Sequence, residues 1–361
     1  MKHPKGTTLS SIWNLITLIL LLVSLVACAP TSQVARSTSK EVSEERNWQL
    51  IEAEKVYLKR NAHLQALAWK LRTQSLKLCP DHQSRAIGMG YKDTSSLKPA
   101  DKEVYSKVYG SHLGIIVSHV VPDSPAHISG LQKGDIILSV NGQDIPEKKA
   151  IKVFDKAYVD VAKFDSNMNV QLGVMRSNEQ IELEIEPVNT CSFPAVLLKD
   201  DILNASADGD SVYITTGMYR FAETDEELLT VLAHEFAHNS EGHIQKQTGN
   251  FLLGSILDII AAGYGVDTQS VFGKMTAGLY SQDFEREADY VGMYYLVNSG
   301  IDTSIVKSFW RRMAIEHPDG IQEHYNGSHP STAERWTNLS AAHEEIQSKL
   351  LNESELLPER K

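Results

Sequence analysis

The apolar positions of the chain fall into three rhythms. Over residues 46–80, Leu64, Leu67, Leu71 and Leu78 recur in steps of three, four and seven, the stripe of an amphipathic helix that docks on a larger body. Over residues 85–188 the period shortens to two. Gly114-Ile115-Ile116-Val117 and Ile136-Ile137-Leu138-Ser139-Val140 read as strands, and Val170, Leu172 and Val174 alternate against Ile181, Leu183 and Ile185 across a Ser177-Asn178 turn. Asn141-Gly142 is a hairpin signal, and Ser124-Pro125-Ala126 opens a short helix that Ser129-Gly130-Leu131 closes. From residue 195 a hairpin, Asn204 to Met218 with Asp208-Gly209-Asp210 at its turn, gives way to helical periods. Thr224 and Glu227 form a capping box ahead of Leu228, Val231 and Leu232, and nothing breaks that helix before Gly242. A second helix runs from Phe284 through Val291, Tyr294 and Leu296, and a last one follows Pro330 with Ser331 and Glu334 as its box. The pattern predicts an α+β fold: a β-rich domain at 85–188, then a mainly α-helical domain at 195–350 with a small edge-strand hairpin.

The helix after Thr224 carries His234-Glu235-Phe236-Ala237-His238. Residues i and i+4 share a helix face, so the two imidazoles can grip one metal ion. Glu235 sits within an otherwise apolar stretch, where an unpaired charge is costly, and there it can take a proton from the attacking water. A hydrolytic zinc site takes three protein ligands, which implies one Zn²⁺ per chain. A third ligand ten residues after His234 is excluded, because Ile244 stands there. His243 is about half a turn out of phase and faces away if the helix continues. Glu285 and Asp289 are again i and i+4; one can bind metal while the other orients a ligating histidine.

The pairing of H-E-x-x-H with a later E-x-x-A-D resembles the HtpX/BepA-type gluzincin metallopeptidases, the family that includes the CAAX-prenyl endopeptidases. The resemblance covers about residues 195–345 and implies a zincin-type catalytic domain. It makes Glu285 the third metal ligand beside His234 and His238, and Asp289 a residue behind them. It also matches Asn204-Ala205 to an outer strand that receives substrate, with a purely structural hairpin as the alternative reading. His329-Pro330, followed by Arg335, matches a His-Pro loop near the metal. His329 would there donate to the oxyanion as a catalytic residue, or gate the metal as a fourth ligand. A histidine at the His243 position is a family habit, and Gln282 stands where many members have arginine.

The stretch from Leu113 to Ile145 resembles bacterial PDZ domains, which bind a peptide by adding it as a strand to an open sheet edge. On that resemblance Leu113-Gly114-Ile115 is the peptide-binding loop for a terminal carboxylate; a PDZ fold used only as a spacer is the alternative.

Lys2 and Lys5 precede an apolar run from Ile12 to Ala27, a secretory signal rather than a spanning helix. Leu25-Val26-Ala27-Cys28 resembles a bacterial lipoprotein signal, which implies residues 1–27 as signal peptide, Cys28 as the lipidation site and residues 28–45 as a flexible tether. Ala29 favours the outer membrane, facing the periplasm. In an oxidising compartment Cys79 and Cys191 can form a disulfide, which we favour over two buried free thiols. Phe251 to Gly265 is too short to span a bilayer and carries Asp258.

The net charge of −11 and the absence of a basic patch argue against nucleic acid. The expectation is a lipid-anchored zinc metalloendopeptidase acting on unfolded or misassembled envelope proteins. The alternative is an envelope chaperone or assembly factor with a latent or dispensable peptidase site.

Overall fold

Thr38 starts the first helix earlier than its apolar stripe does. Its hydroxyl accepts the Glu41 N–H at 3.2 Å, and the Glu41 carboxylate takes the Thr38 N–H at 2.7 Å, a reciprocal capping box. Helix α1 therefore spans Ser39–Gln74. Residues 39–45, expected as tether, are its first turns, with Lys40 and Glu44 paired at i,i+4. The computed structural model describes residues 13, 37–95, 97, 99–110, 114–147, 149–162, 168–247, 282–321 and 333–360. Cys28, Leu113, residues 251–265 and the His329-Pro330 pair lie outside them. The chain divides into two compact units, residues 1–49 and 50–361. No helix among the described residues is long and apolar enough to cross a membrane.

In the larger unit, Cys79 and Cys191 are joined by a disulfide, and β1 (Gln83–Ala86) pairs antiparallel with β8 (Val188–Cys191) beside it. Between those strands lies the β-rich domain. It comprises β2 (Met89–Asp93), α2 (Pro99–Tyr109), β3 (Ile115–Val120), α3 (Pro125–Ile128), β4 (Ile136–Val140), β5 (Gln143–Asp144), α4 (Ala150–Ala162), β6 (Val170–Arg176) and β7 (Glu179–Ile185). The sheet order is β2-β3-β4-β6-β7, with β5 paired to β4. Both predicted hairpin turns have two central residues at positive φ: Asn141 and Gly142 at 49° and 77°, and Ser177 and Asn178 at 50° and 66°. That is the backbone twist a two-residue hairpin demands. Phe154 of α4 packs with Ile115, Val117, Leu172 and Val174 in this domain's own core.

The second core belongs to the helical domain. Strand β9 (Ala195–Leu198) runs parallel to β11 (Val212–Thr215), and β10 (Ala205–Ala207) pairs antiparallel on the other side of β11. The predicted hairpin is thus β10–β11, with β10 the outer strand. Helices α5 (Thr216–Phe221), α6 (Asp225–Ser240), α7 (His243–Gln247), α8 (Gln282–Asn298), α9 (Ser304–Glu316) and α10 (Ala333–Leu351) follow. Leu64, Leu67 and Leu71 of α1 are buried in the same core as Leu232 and Phe236 of α6 and Tyr294 and Tyr295 of α8. Residues 50–74 of the first helix are therefore part of the helical domain, and the β-rich domain is inserted into it.

Candidate metal centre

Helix α6 begins as its sequence indicates: the Thr224 hydroxyl accepts the Glu227 N–H at 3.3 Å. The return bond is shifted by one residue, because the Glu227 carboxylate accepts from the Glu223 N–H and pairs with Arg312. From Leu228 to Asn239 every residue of α6 is buried, so the histidine face points into the protein.

The Nε2 atoms of His234 and His238 lie 3.1 Å apart. Each lies 3.4 Å from a carboxylate oxygen of Glu285 on α8. One ligand atom from each of the three residues falls within 4.8 Å of the others, and all three residues are buried. Ligands at zinc distances of about 2.0–2.1 Å in a tetrahedron stand ~3.3 Å from one another. The observed edges fit that figure, and two imidazoles with one carboxylate are a donor set that suits zinc.

Behind the ligands each histidine is held from its other nitrogen. His234 Nδ1 lies 2.9 Å from Asp289 Oδ1. Asp289 in turn accepts two bonds from Arg335 on α10, at 2.6 and 2.7 Å, and that guanidinium lies over the Trp310 ring at 3.5 Å. Burial would raise the Asp289 pKa, but Arg335 and His234 outweigh it and hold the carboxylate ionised. Burial likewise opposes charge on His234, yet Asp289 and Glu285 lift its pKa to about 9, so a proton competes with metal there. Asp289 thus stands behind His234, between its ring and Arg335.

His238 is held by a residue that the helical phase had turned away. Helix α6 ends at Ser240, and Gly242, at φ +63°, redirects the chain. His243 Nδ1 comes back to 2.9 Å from His238 Nδ1, while its Nε2 lies 2.9 Å from Glu287 and its ring stacks on Phe284. The expectation that His243 faces away is corrected: it held only for a continuing helix, and Gly242 was the signal of the break.

The distance between the two ligand helices is set by a glycine. A Cβ at Gly292 of α8 would come within 3.3 Å of the Ala233 carbonyl and the His234 Cα. Gly292→Val should push α8 off α6 and draw Glu285 from the histidines, since overpacking a buried contact costs about 1–3 kcal/mol. Zinc affinity, measured by chelator competition, is expected to fall about tenfold; an unchanged affinity would show that this contact does not set the ligand spacing.

Asn204 and Ala205 lie at the start of the outer strand, where the Asn204 N–H donates to Thr215 Oγ1 at 3.3 Å. The turn after β10 is tied to the metal helix: Asn239 accepts the Gly209 N–H at 2.7 Å and donates to the Ser211 carbonyl at 3.0 Å.

The PDZ loop assignment is corrected. Strand β3, which starts at Ile115, already has neighbours on both sides, β2 and β4. The Gly114 N–H donates to Thr94 Oγ1 at 3.2 Å, and its carbonyl accepts the Thr94 N–H at 2.9 Å. An added strand has no place there. At that end of the sheet the outer strand among those described is β2, and it faces α4: Tyr91 donates to Asp155 at 2.8 Å, and its ring lies 4.5 Å from Phe154.

Two histidines on one helix and a carboxylate on another, converging beside an outer strand, define a centre of metallopeptidase type. Residues 177–343 match the model of peptidase family M48, and residues 89–157 match that of the PDZ domain. The chain carries one domain of each kind. It is similar to the beta-barrel assembly-enhancing protease of Escherichia coli (strain K12), 28% identical over 136 residues, 34% of this chain and 28% of that one. It is also similar to mitochondrial metalloendopeptidase OMA1 of Schizosaccharomyces pombe, 28% identical over 145 residues, 38% of this chain and 43% of that one. The chain thus spans less than half the length of either. Among solved structures, the HtrA3 PDZ domain bound to a phage-derived ligand covers 30% of this chain and 88% of its own, at 26% identity and a TM-score of 0.22.

Proposed function

We propose that this chain is a zinc metalloendopeptidase of the bacterial envelope that cleaves unfolded or misassembled proteins. The observation that carries the reading is the buried convergence of His234, His238 and Glu285 at the edges of a zinc tetrahedron. A zinc ion bound there would supply Lewis acidity for the scissile carbonyl and for a water. Glu235, buried beside His234, takes the proton of the attacking water and later passes it to the leaving amine. Asp289 and Arg335 fix the tautomer and plane of His234, and His243 with Glu287 does the same for His238. Strand β10, with small Ala205 and Ala207, would take the substrate as an added strand. The test is cleavage of an unfolded envelope protein by the wild type and by Glu235→Gln, with zinc content measured in both.

The name of the bacterial relative, a beta-barrel assembly-enhancing protease, supports an envelope role, and the sequence features at Cys28 support a lipid anchor at the outer membrane. Recovery of Cys28→Ser in the membrane at the wild-type level would sink the anchor.

The PDZ domain would recruit substrate in the groove between β2 and α4, with Ile87-Gly88-Met89 as the carboxylate loop. Gly88 has φ +79°, and a Cβ there would fall 2.3 Å from the Ser124 Cβ, so the turn needs glycine. A remote strand-binding site raises the effective concentration of a long substrate only. Deleting residues 85–188 should therefore lower turnover of long chains about tenfold and of short peptides less than about twofold, and Met89→Glu should reproduce the effect. Equal losses on both substrates would make the domain a spacer.

A further inference from the structure

Residues 354–360 form a strap that returns to the end of the metal helix. Leu356 and Leu357 pack against the catalytic core. Asn298 donates to the Leu356 carbonyl at 2.8 Å, Lys349 to the Leu357 carbonyl at 2.6 Å, and the Glu359 N–H to the Tyr290 hydroxyl at 2.9 Å. The strap ends on Arg360, whose two Nη atoms reach the two oxygens of Glu241 at 2.6 and 2.8 Å.

Glu241 is the C-cap of α6, and its side chain is only 8% exposed. The next residue, Gly242, makes the turn that brings His243 onto His238. The turn is held from one side by Asn239, through the β10–β11 loop. From the other side the bidentate pair with Arg360 holds it. A buried carboxylate that loses its cation moves toward water. Here that movement would carry Glu241 outward and loosen the turn two residues before the histidine that holds a ligand.

We propose that Arg360 is a positioning residue for the metal centre: by fixing Glu241 it fixes the turn through which His243 aligns His238. The proposal rests on the zinc site described above, and the experiment separates the two. Zinc affinity of the full chain is measured by competition with a chromogenic chelator, for the wild type, Arg360→Ala, Arg360→Glu, His243→Ala, the double variant Arg360→Ala with His243→Ala, and the exchange Glu241→Arg with Arg360→Glu. Melting of each metal-free protein is followed in parallel, so that loss of fold is told apart from loss of alignment. Arg360→Ala is expected to lose about tenfold in affinity and Arg360→Glu more, as for other residues that orient ligands. The exchange is expected to recover most of the loss. With His243 already alanine, removing Arg360 should cost little more, because both act through one contact. A wild type that binds no zinc would overturn the site itself. A wild type that binds zinc, with Arg360→Ala unchanged, or with losses that add in full to those of His243→Ala, would overturn the role of the strap. So would a variant that melts earlier yet binds zinc as before, since the strap would then be a stabilising clamp only.

Discussion

Glu235→Gln is expected to keep its zinc and to lose about 10³-fold in cleavage rate. Glu235 is buried on α6 one residue from His234, yet it is not among the three residues whose ligand atoms converge. Its amide has nearly the same shape, so the core around Phe236 and Ala237 is not disturbed. What changes is chemical: an amide oxygen does not accept a proton at neutral pH, and neither activation of water nor protonation of the leaving amine can proceed through it. Metal content near one per chain with residual cleavage near background is the expected pair of readings. Cleavage at the wild-type rate would place the base elsewhere.

The second large effect separates a ligand from a residue that aligns one. Glu285→Ala would remove one of the three proposed ligands, and zinc affinity should fall by more than about a hundredfold. Glu287→Ala takes away only the partner of His243, which itself touches His238, so the loss should be about tenfold. The two glutamates are separated by a single residue on α8, and helical phase alone sends them to different faces. If the Glu287 variant loses as much zinc as the Glu285 variant, the assignment of the ligand is wrong.

Much of this centre is legible along the chain, because i,i+4 spacing on α6 and on α8 is a local statement about which side chains share a face. The two hairpins of the β-rich domain are legible for the same reason, since Asn-Gly and Asn at positive φ announce themselves. What escapes is whatever depends on a break or on distant partners. His243 cannot be placed until Gly242 is seen to end the helix. A glycine between two apolar residues stands at the head of a strand both at Ile87-Gly88-Met89 and at Leu113-Gly114-Ile115, and only the order of strands shows that the second lies inside the sheet. Strand β2 itself, Met-Gly-Tyr-Lys-Asp, has no alternation to reveal it. The start of α1 was hidden by its polarity; Thr38 and Glu41 were the capping signal. Arg360 lies 119 residues from Glu241, a separation that no periodicity encodes.

The bond between Cys79 and Cys191, with Cα atoms 5.8 Å apart and 112 positions apart along the chain, turns the whole PDZ domain into a closed ring hung from the peptidase. A ring tolerates a single cut. If a protease nicks any loop between the two cysteines, α1 stays covalently attached to the part of the molecule that carries the metal ligands. The Leu64, Leu67 and Leu71 face of α1 then remains seated in the catalytic core. A single cut within the PDZ domain would thus leave the helical peptidase domain, with α1, in one covalent piece.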